Sequence, residues 1–247
     1  MSDPWSGLRS FTQARIALGR AGHAVPTAAL LDFQLAHAEA RDAVHLPWDV
    51  DGFADRVRGL GGEVLLLETP VASRDEYLHR PDLGRILSGA SRERLGRLTL
   101  DAVDVALIVT NGLSSAAMER HGFSLVQAIL NGFRSRQLRV APVALIPNGR
   151  VALLDEVGSA VGAKVAVIVV GERPGLSAAD SLGVYLTFAP KPGNSDAQRN
   201  CISNIRPPEG LSYQAAAAKV LYLTEESMRR GTSGVALKDD MAGLLSG

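Results

Sequence analysis

The chain has 247 residues, 46% hydrophobic and 21% charged, which is enough to bury a sizeable core and too apolar for intrinsic disorder. Twenty-six basic residues balance 26 acidic ones, so the electrostatic footprint of a nucleic-acid or anionic-membrane binder is missing. Cys201 is the only cysteine, which excludes an intrachain disulfide and a cysteine-rich metal site. The N-terminal stretch MSDPWSGLRS has no apolar leader segment, and no apolar run is long enough to span a bilayer. The expectation is a cytoplasmic protein.

In chain order, residues 11–58 read as helical. Pro26-Thr27 starts the main segment, Leu30, Leu31, Leu35 and Ala38 give it a broad apolar face, and Pro47 stops it. A shorter helix over 51–60 closes at Gly61-Gly62. Residues 63–69 read as a strand ended by Pro70, and Ser73 with Glu76 matches a capping box before Arg80-Pro81 breaks the helix.

From about residue 102 the rhythm is β-α-β. Strands over 103–110, 138–147 and 164–170 alternate with helices over 116–136 and 155–162. Short β-branched runs between helical spans predict a parallel sheet covered on both faces. Strand-like runs at 183–190 and 201–205 and a helix over 212–230 complete the chain. The fold class expected is α/β: a Rossmann-like, mostly parallel sheet with helices on both faces, over 59–247, preceded by a small helical N-terminal domain over 1–58.

Several chemistries are absent as motifs. No GxGxxG follows a strand, and GSAVGAK at 158–164 has neither the spacing nor the strand-to-helix order of a phosphate loop. HExxH and GxSxG are missing, and five scattered histidines offer no metal-ligand spacing. The D-x-H-x-x-G pattern by which some cobalamin proteins supply a histidine to cobalt is also missing.

Candidate ligand loops remain at the carboxyl ends of parallel strands, NGLSS at 111–115 and GERPG at 171–175. Ser114 or Ser115 can cap a helix with exposed donors. Glu172 and Arg173 either form a partly exposed ion pair or present a carboxylate to ligand amides and hydroxyls. Cys201, in RNCISNI, reads as a small packed hydrophobe, as a thiol nucleophile or as a packing contact with a ligand. Arg15, Arg20 and His23 read as a solvated helix face, with docking to a protein partner as the alternative; His37, Arg41 and His45, aligned by helical spacing, fit a partner-contacting face as well as any chemistry.

Six segments together resemble the small subunit of ethanolamine ammonia-lyase: TQARIALGRAGH at 12–23, RPDLGR at 80–85, NGLSS at 111–115, GRVALLDEVG at 149–158, VGERPGL at 170–176 and CISNIRP at 201–207. They cover nearly the whole chain in consistent order. The resemblance implies an adenosylcobalamin-dependent lyase that splits ethanolamine into acetaldehyde and ammonia by a radical route. It implies a large subunit that binds ethanolamine and does most of the chemistry, with the cofactor between the two subunits in a hetero-oligomer.

On the resemblance, the cofactor contacts fall on Val151, Glu172 and Cys201, with no catalytic residue and no metal ligand in this chain. A thiol gives up a hydrogen atom readily, so Cys201 is expected to touch the cofactor away from its adenosyl group. Some relatives carry a long N-terminal extension associated with bacterial microcompartments, whereas here the matching segments begin close to Met1. A cytoplasmic location, inside or outside such a compartment, is expected. The competing reading is a stand-alone α/β enzyme that binds a nucleotide or another small ligand in the same crevice.

Overall fold

The computed structural model describes residues 5–241; residues 1–4 of the N-terminal stretch and 242–247, the end of the expected second domain, lie outside them. Helices α1 (Thr27–His45) and α2 (Val50–Gly59) lead into β1 (Val64–Leu66). A β-strand can meet a parallel neighbour only through a crossover, and each crossover here carries helix. α3 (Arg74–His79) and α4 (Gly89–Gly96) join β1 to β2 (Val105–Thr110). α5 (Ser115–Ala117), a π turn at Met118–Gly122 and α6 (Phe123–Ser135) lead to β3 (Val143–Leu145), and α7 (Leu153–Ala160) leads to β4 (Val165–Gly171). These four strands are parallel, in the order β1-β3-β2-β4.

Beyond β4 the rule changes. β5 (Leu182–Phe188) and β6 (Asn200–Ile205) extend the same sheet antiparallel, without an α-helix between β4 and β5 or between β5 and β6, and α8 (Tyr213–Arg230) follows. The sheet is therefore mixed, parallel through β4 and antiparallel beyond it, where the sequence reading expects a mostly parallel one.

Alternation along the strands gives the sheet two faces. Val105, Leu107, Val167, Val169, Val184 and Leu186 face one layer, built from α2, α6 and α8 through Val57, Phe133, Val220 and their neighbours. Ala106, Ile108, Ala166 and Ile168 face the other, built from α4 and α7 through Leu95, Leu154 and Val157. Added to Gly158, a Cβ would lie 2.6 Å from that of Ala166, so α7 sits directly on β4. On this second face the cover thins past β4. Tyr185 is half-buried, and Cys201 and Ser203 are exposed.

Several local expectations change. Residues 12–26 form no helix: a 3₁₀ turn at Ser6–Phe11 gives way to irregular chain. Gly19 and Gly22 there take left-handed φ values of 78° and 65°, incompatible with a continuing right-handed helix. The α1 leucines do not face a core. Leu30, Leu31 and Leu35 are 46%, 58% and 59% exposed, and the helix buries only Ala36 and Ala43. The capping box is half-formed: Ser73 Oγ accepts from the Glu76 N–H at 3.1 Å, but the Glu76 carboxylate accepts from Ala72 instead of the cap residue.

The start of β6 is pinned to α7 by a buried ion pair. The Arg199 and Asp155 side chains are 6% and 3% exposed, and Arg199 Nη2 donates to Asp155 Oδ2 at 2.5 Å. Asn194 donates to the other Asp155 oxygen at 3.0 Å, and Asp196 also pairs with Arg199. Removing Asp155 leaves the mostly buried Arg199 with only the exposed Asp196 and the Asn194 carbonyl as partners, at a cost of about 1–3 kcal/mol. Asp155→Ala should therefore lower the urea midpoint of unfolding markedly; an unchanged midpoint would show that Arg199 needs no buried partner.

Candidate functional site

The turn carrying Arg150 and Val151 is held by backbone contacts from three directions. Thr110, the last residue of β2, accepts the Gly149 N–H at 2.9 Å through Oγ1, and Asn111 Oδ1 accepts the Asn148 N–H at 2.8 Å. Tyr77 of α3 donates its hydroxyl to Gly149 O at 2.9 Å, and Arg150 N–H donates to Gly84 O at 2.7 Å. These bonds use main-chain atoms, which leaves the Arg150 and Val151 side chains to face outward.

The two loops expected to flank a crevice instead close on one another. Leu113 N–H donates to Gly171 O at 2.9 Å, and Gly112, at φ 51°, would bring a Cβ to 2.4 Å from that oxygen. Ser114 and Ser115 are fully buried, so neither is the exposed donor that the sequence allows. Ser114 Oγ accepts from Ala117 N–H and donates to Ala179 O, and Ser115 Oγ accepts from Asn111.

The open space lies beside these loops, over the uncovered part of the sheet. One hollow of about 430 Å³ is lined by Tyr77, Leu113, Arg150, Val151, Glu172 and Tyr185, with Arg173 at its wall. A second, of about 510 Å³, is lined by Arg85, Arg150, Val151, Tyr185, Asn194 and Arg199. Arg150, Val151 and Tyr185 belong to both, so the two form one broad depression with a shared wall. A separate hollow of about 360 Å³ between α1 and the 176–180 loop includes none of the three expected contact residues.

Val151 lies in that shared wall, half-buried. Glu172 stands at the end of β4, but its carboxylate is already engaged. Ser203 Oγ donates to Oε1 at 2.6 Å, and Ser181 Oγ and Asn204 N–H donate to Oε2 at 2.7 and 3.3 Å. It thus ties β4 to β5 and β6. The pair with Arg173 is not formed, and Arg173 has no ion pair or hydrogen bond among the described residues. Gly183 makes this possible, since a Cβ there would sit 2.8 Å from Glu172 Oε1.

Cys201 is exposed on β6, directly opposite Tyr185 in the β5–β6 register. It lines neither hollow itself and lies two strands over from Glu172 at the end of β4, with β5 between them. Although the residue is exposed, its sulfur is partly shielded against the sheet, and that shielding pushes the thiol pKa up; a hydrogen bond from Tyr185 opposes this, and the Glu172 carboxylate adds to it. Burial likewise pushes the Tyr185 phenol up, with Cys201 and Glu172 contributing. Both groups stay protonated at neutral pH, which removes the thiolate that a cysteine nucleophile requires.

Tyr185 and Arg150 line both hollows but are not among the residues expected from the sequence. Arg150 sits within the quoted GRV segment without any signal of its own. Tyr185 could have been found from period-2 alternation, which sets it with Gly183 on the face opposite Leu182, Val184 and Leu186. His37, Arg41 and His45 lie on α1, away from both hollows. Among the described residues no group of three His, Cys, Asp or Glu side chains could hold a metal ion, and no helix is long and apolar enough to cross a membrane.

Comparison with known proteins agrees with the resemblance read from the segments. The family model described as "Ethanolamine ammonia-lyase light chain (EutC)" matches residues 2–238. A protein of Ralstonia nicotianae named "Ethanolamine ammonia-lyase small subunit" is 52% identical over 240 residues, 96% of this chain and 88% of that one. Proteins with the same name from Azotobacter vinelandii and Pseudomonas fluorescens are 51% and 49% identical over 241 residues, each over 96% of this chain and 89% and 87% of theirs.

Because Glu172 joins three strands, its removal should affect the fold as well as any ligand. Glu172→Ala leaves three donors without their acceptor and is expected to destabilise the chain by about 1–3 kcal/mol. Faster amide exchange at Asn204 should accompany the loss, and an exchange rate that does not change would show the tie to β6 to be idle.

Proposed function

This chain belongs to the family of ethanolamine ammonia-lyase light chains, and on that premise we propose that it is the cofactor-covering subunit of an adenosylcobalamin-dependent lyase. The large subunit binds ethanolamine, and this chain lays the Arg150–Val151 turn and the open face of β5–β6 against the corrin. The observation that carries the reading is the depression itself, where Val151 and Glu172 line one wall and Cys201 lies on the adjoining strand beside Tyr185.

The residues present fit such a group. A corrin is broad, flat and fringed with amide side arms, too large for a closed pocket but suited to a shallow double hollow. Val151 and the Tyr185 ring offer apolar contact. A carboxylate has about four lone-pair sites, so Glu172, with three donors already bound, retains one acceptor position for a ligand amide. The buried Nε of Arg150, in the shared wall, has no hydrogen-bond partner among the described residues, which leaves that wall with an unmet donor.

When bound, the cofactor supplies the radical that takes a hydrogen atom from the substrate. The chain's own residues hold and cover. Burial raises the pKa of Cys201 and of Tyr185, and Glu172 is held by its three donors, which suits a face that holds the cofactor and leaves the proton chemistry to the large subunit. The cover keeps water away from the cofactor. Cys201, a ready hydrogen donor, meets it away from the adenosyl group. The exposed leucines of α1 are the kind of apolar surface that a partner subunit covers. A cytoplasmic site, inside or outside a microcompartment, suits this role. The nucleotide-binding alternative gains nothing, since the β2 loop is closed by Gly112 against Gly171 and its serines are buried.

Co-expression with a large subunit of the family is the test. The purified pair should carry a corrinoid absorption spectrum after incubation with adenosylcobalamin and should convert ethanolamine, whereas this chain alone should not. Turnover by the isolated chain, or a stable pair without corrinoid, would contradict the assignment.

A further inference from the structure

Arginine cannot shed its charge at physiological pH, so a guanidinium without a carboxylate must be met by water, carbonyls, an aromatic face or a ligand. Most charges around the depression are accounted for. Arg199 is neutralised by Asp155 and Asp196, and Glu172 is held by Ser181, Ser203 and Asn204. Arg74 donates to the carbonyls of Val44 and Gly112 and to Asn148 Oδ1.

Arg150 is different. Its guanidinium lies 4.6 Å from the centre of the Tyr77 ring, its Nε is buried without a partner, and no carboxylate or carbonyl among the described residues accepts from its side chain. Arg74 stacks on the same ring at 4.9 Å and adds to the positive charge. Arg85, in the second hollow, and Arg173, in the first, also lack an ion pair among the described residues. In a chain of zero formal charge, one depression thus concentrates unpaired guanidinium groups, with Arg150 in the wall common to both halves.

The proposed function gives this charge a complement. The amide arms of a cobalamin are neutral, and its one anionic group is the phosphodiester of the nucleotide tail. We propose, resting on that function, that Arg150 receives this phosphodiester and so distinguishes a complete cobalamin from a corrinoid without its tail. Stacking on Tyr77 fixes the plane of the guanidinium before the ligand arrives. The planar fork then offers two parallel donors to a phosphate, a match that Lys lacks.

The experiment uses the complex of this chain with a family large subunit and compares the dissociation constants of cyanocobalamin and of cobinamide, which has no nucleotide tail or phosphodiester. Arg150→Ala should weaken cyanocobalamin about tenfold to a hundredfold and leave cobinamide unchanged. Arg150→Lys, which keeps the charge without the fork and is the gentler test of folding, should weaken cyanocobalamin by less, again with cobinamide unaffected. Thermal denaturation of each complex checks assembly.

Equal loss for both ligands in an assembled Arg150→Lys complex, or no loss for either, overturns the assignment of the phosphodiester. A thermal shift by inorganic phosphate alone that Arg150→Ala abolishes, with cyanocobalamin affinity intact, would give the site to a free anion and also overturn it. If the unsubstituted complex binds neither corrinoid, the cofactor-covering function itself falls with it.

Discussion

A strand that runs parallel to its neighbour must be reached through a crossover, and the crossover leaves a helix on the sheet. An antiparallel neighbour needs no such return. This chain uses both rules in one sheet, and the place where they change determines what it can present. Through β4 the strands are buried on both faces, with α7 seated on Ala166. Past β4 the chain reverses twice without an α-helix between strands, and α8 covers one face only. On the other face Gly183 and Thr187 of β5 are buried, but the middle of β5 and the length of β6 are left open, with Tyr185 and Cys201 side by side there. The depression and the exposure of the thiol both follow from that reversal.

An open floor on an edge strand is a hazard, since unpaired edges and weakly anchored strands slip or aggregate. Here two polar ties hold β6 from opposite ends. Arg199 binds the buried Asp155 of α7 at its start, and Ser203 and Asn204 bind Glu172 near its finish. Glu172 thus serves the strand before it serves any ligand. That tie accounts for a carboxylate at the point where β4 surfaces, and for the glycine beneath it at position 183. An ion pair with Arg173 would have left β6 loose.

The parallel half of the fold was readable because its signals are local: β-branched runs of six or seven residues, turn dipeptides and helical spans between them. Among the expected contacts, Glu172 and Cys201 stood out by loop position and thiol chemistry, whereas Val151 was raised only through the resemblance of ordered segments. What the sequence hid has physical reasons. Hydrogen bonds between residues about thirty positions apart, such as Glu172 with Ser203, leave no periodic trace. The glycines at 19 and 22 were read as part of a helix, although their left-handed backbone breaks it. The leucines of α1 have a helical pattern, but periodicity cannot say whether a helix face meets its own core or another chain. Arg150 has no sequence signal at all, because what sets it apart is the absence of a partner, visible only once its neighbours are placed.

The central claim is that the uncovered face of β5–β6 and the adjoining turn grip the cofactor. Hydrogen exchange of the two-subunit complex, with and without bound cobalamin, tests it most directly. Slower exchange at residues 149–153, 183–187 and 200–204, with α2, α6 and α8 unaffected, is the expected result. Protection confined to the α2–α6–α8 side, or to the large subunit alone, would contradict the account.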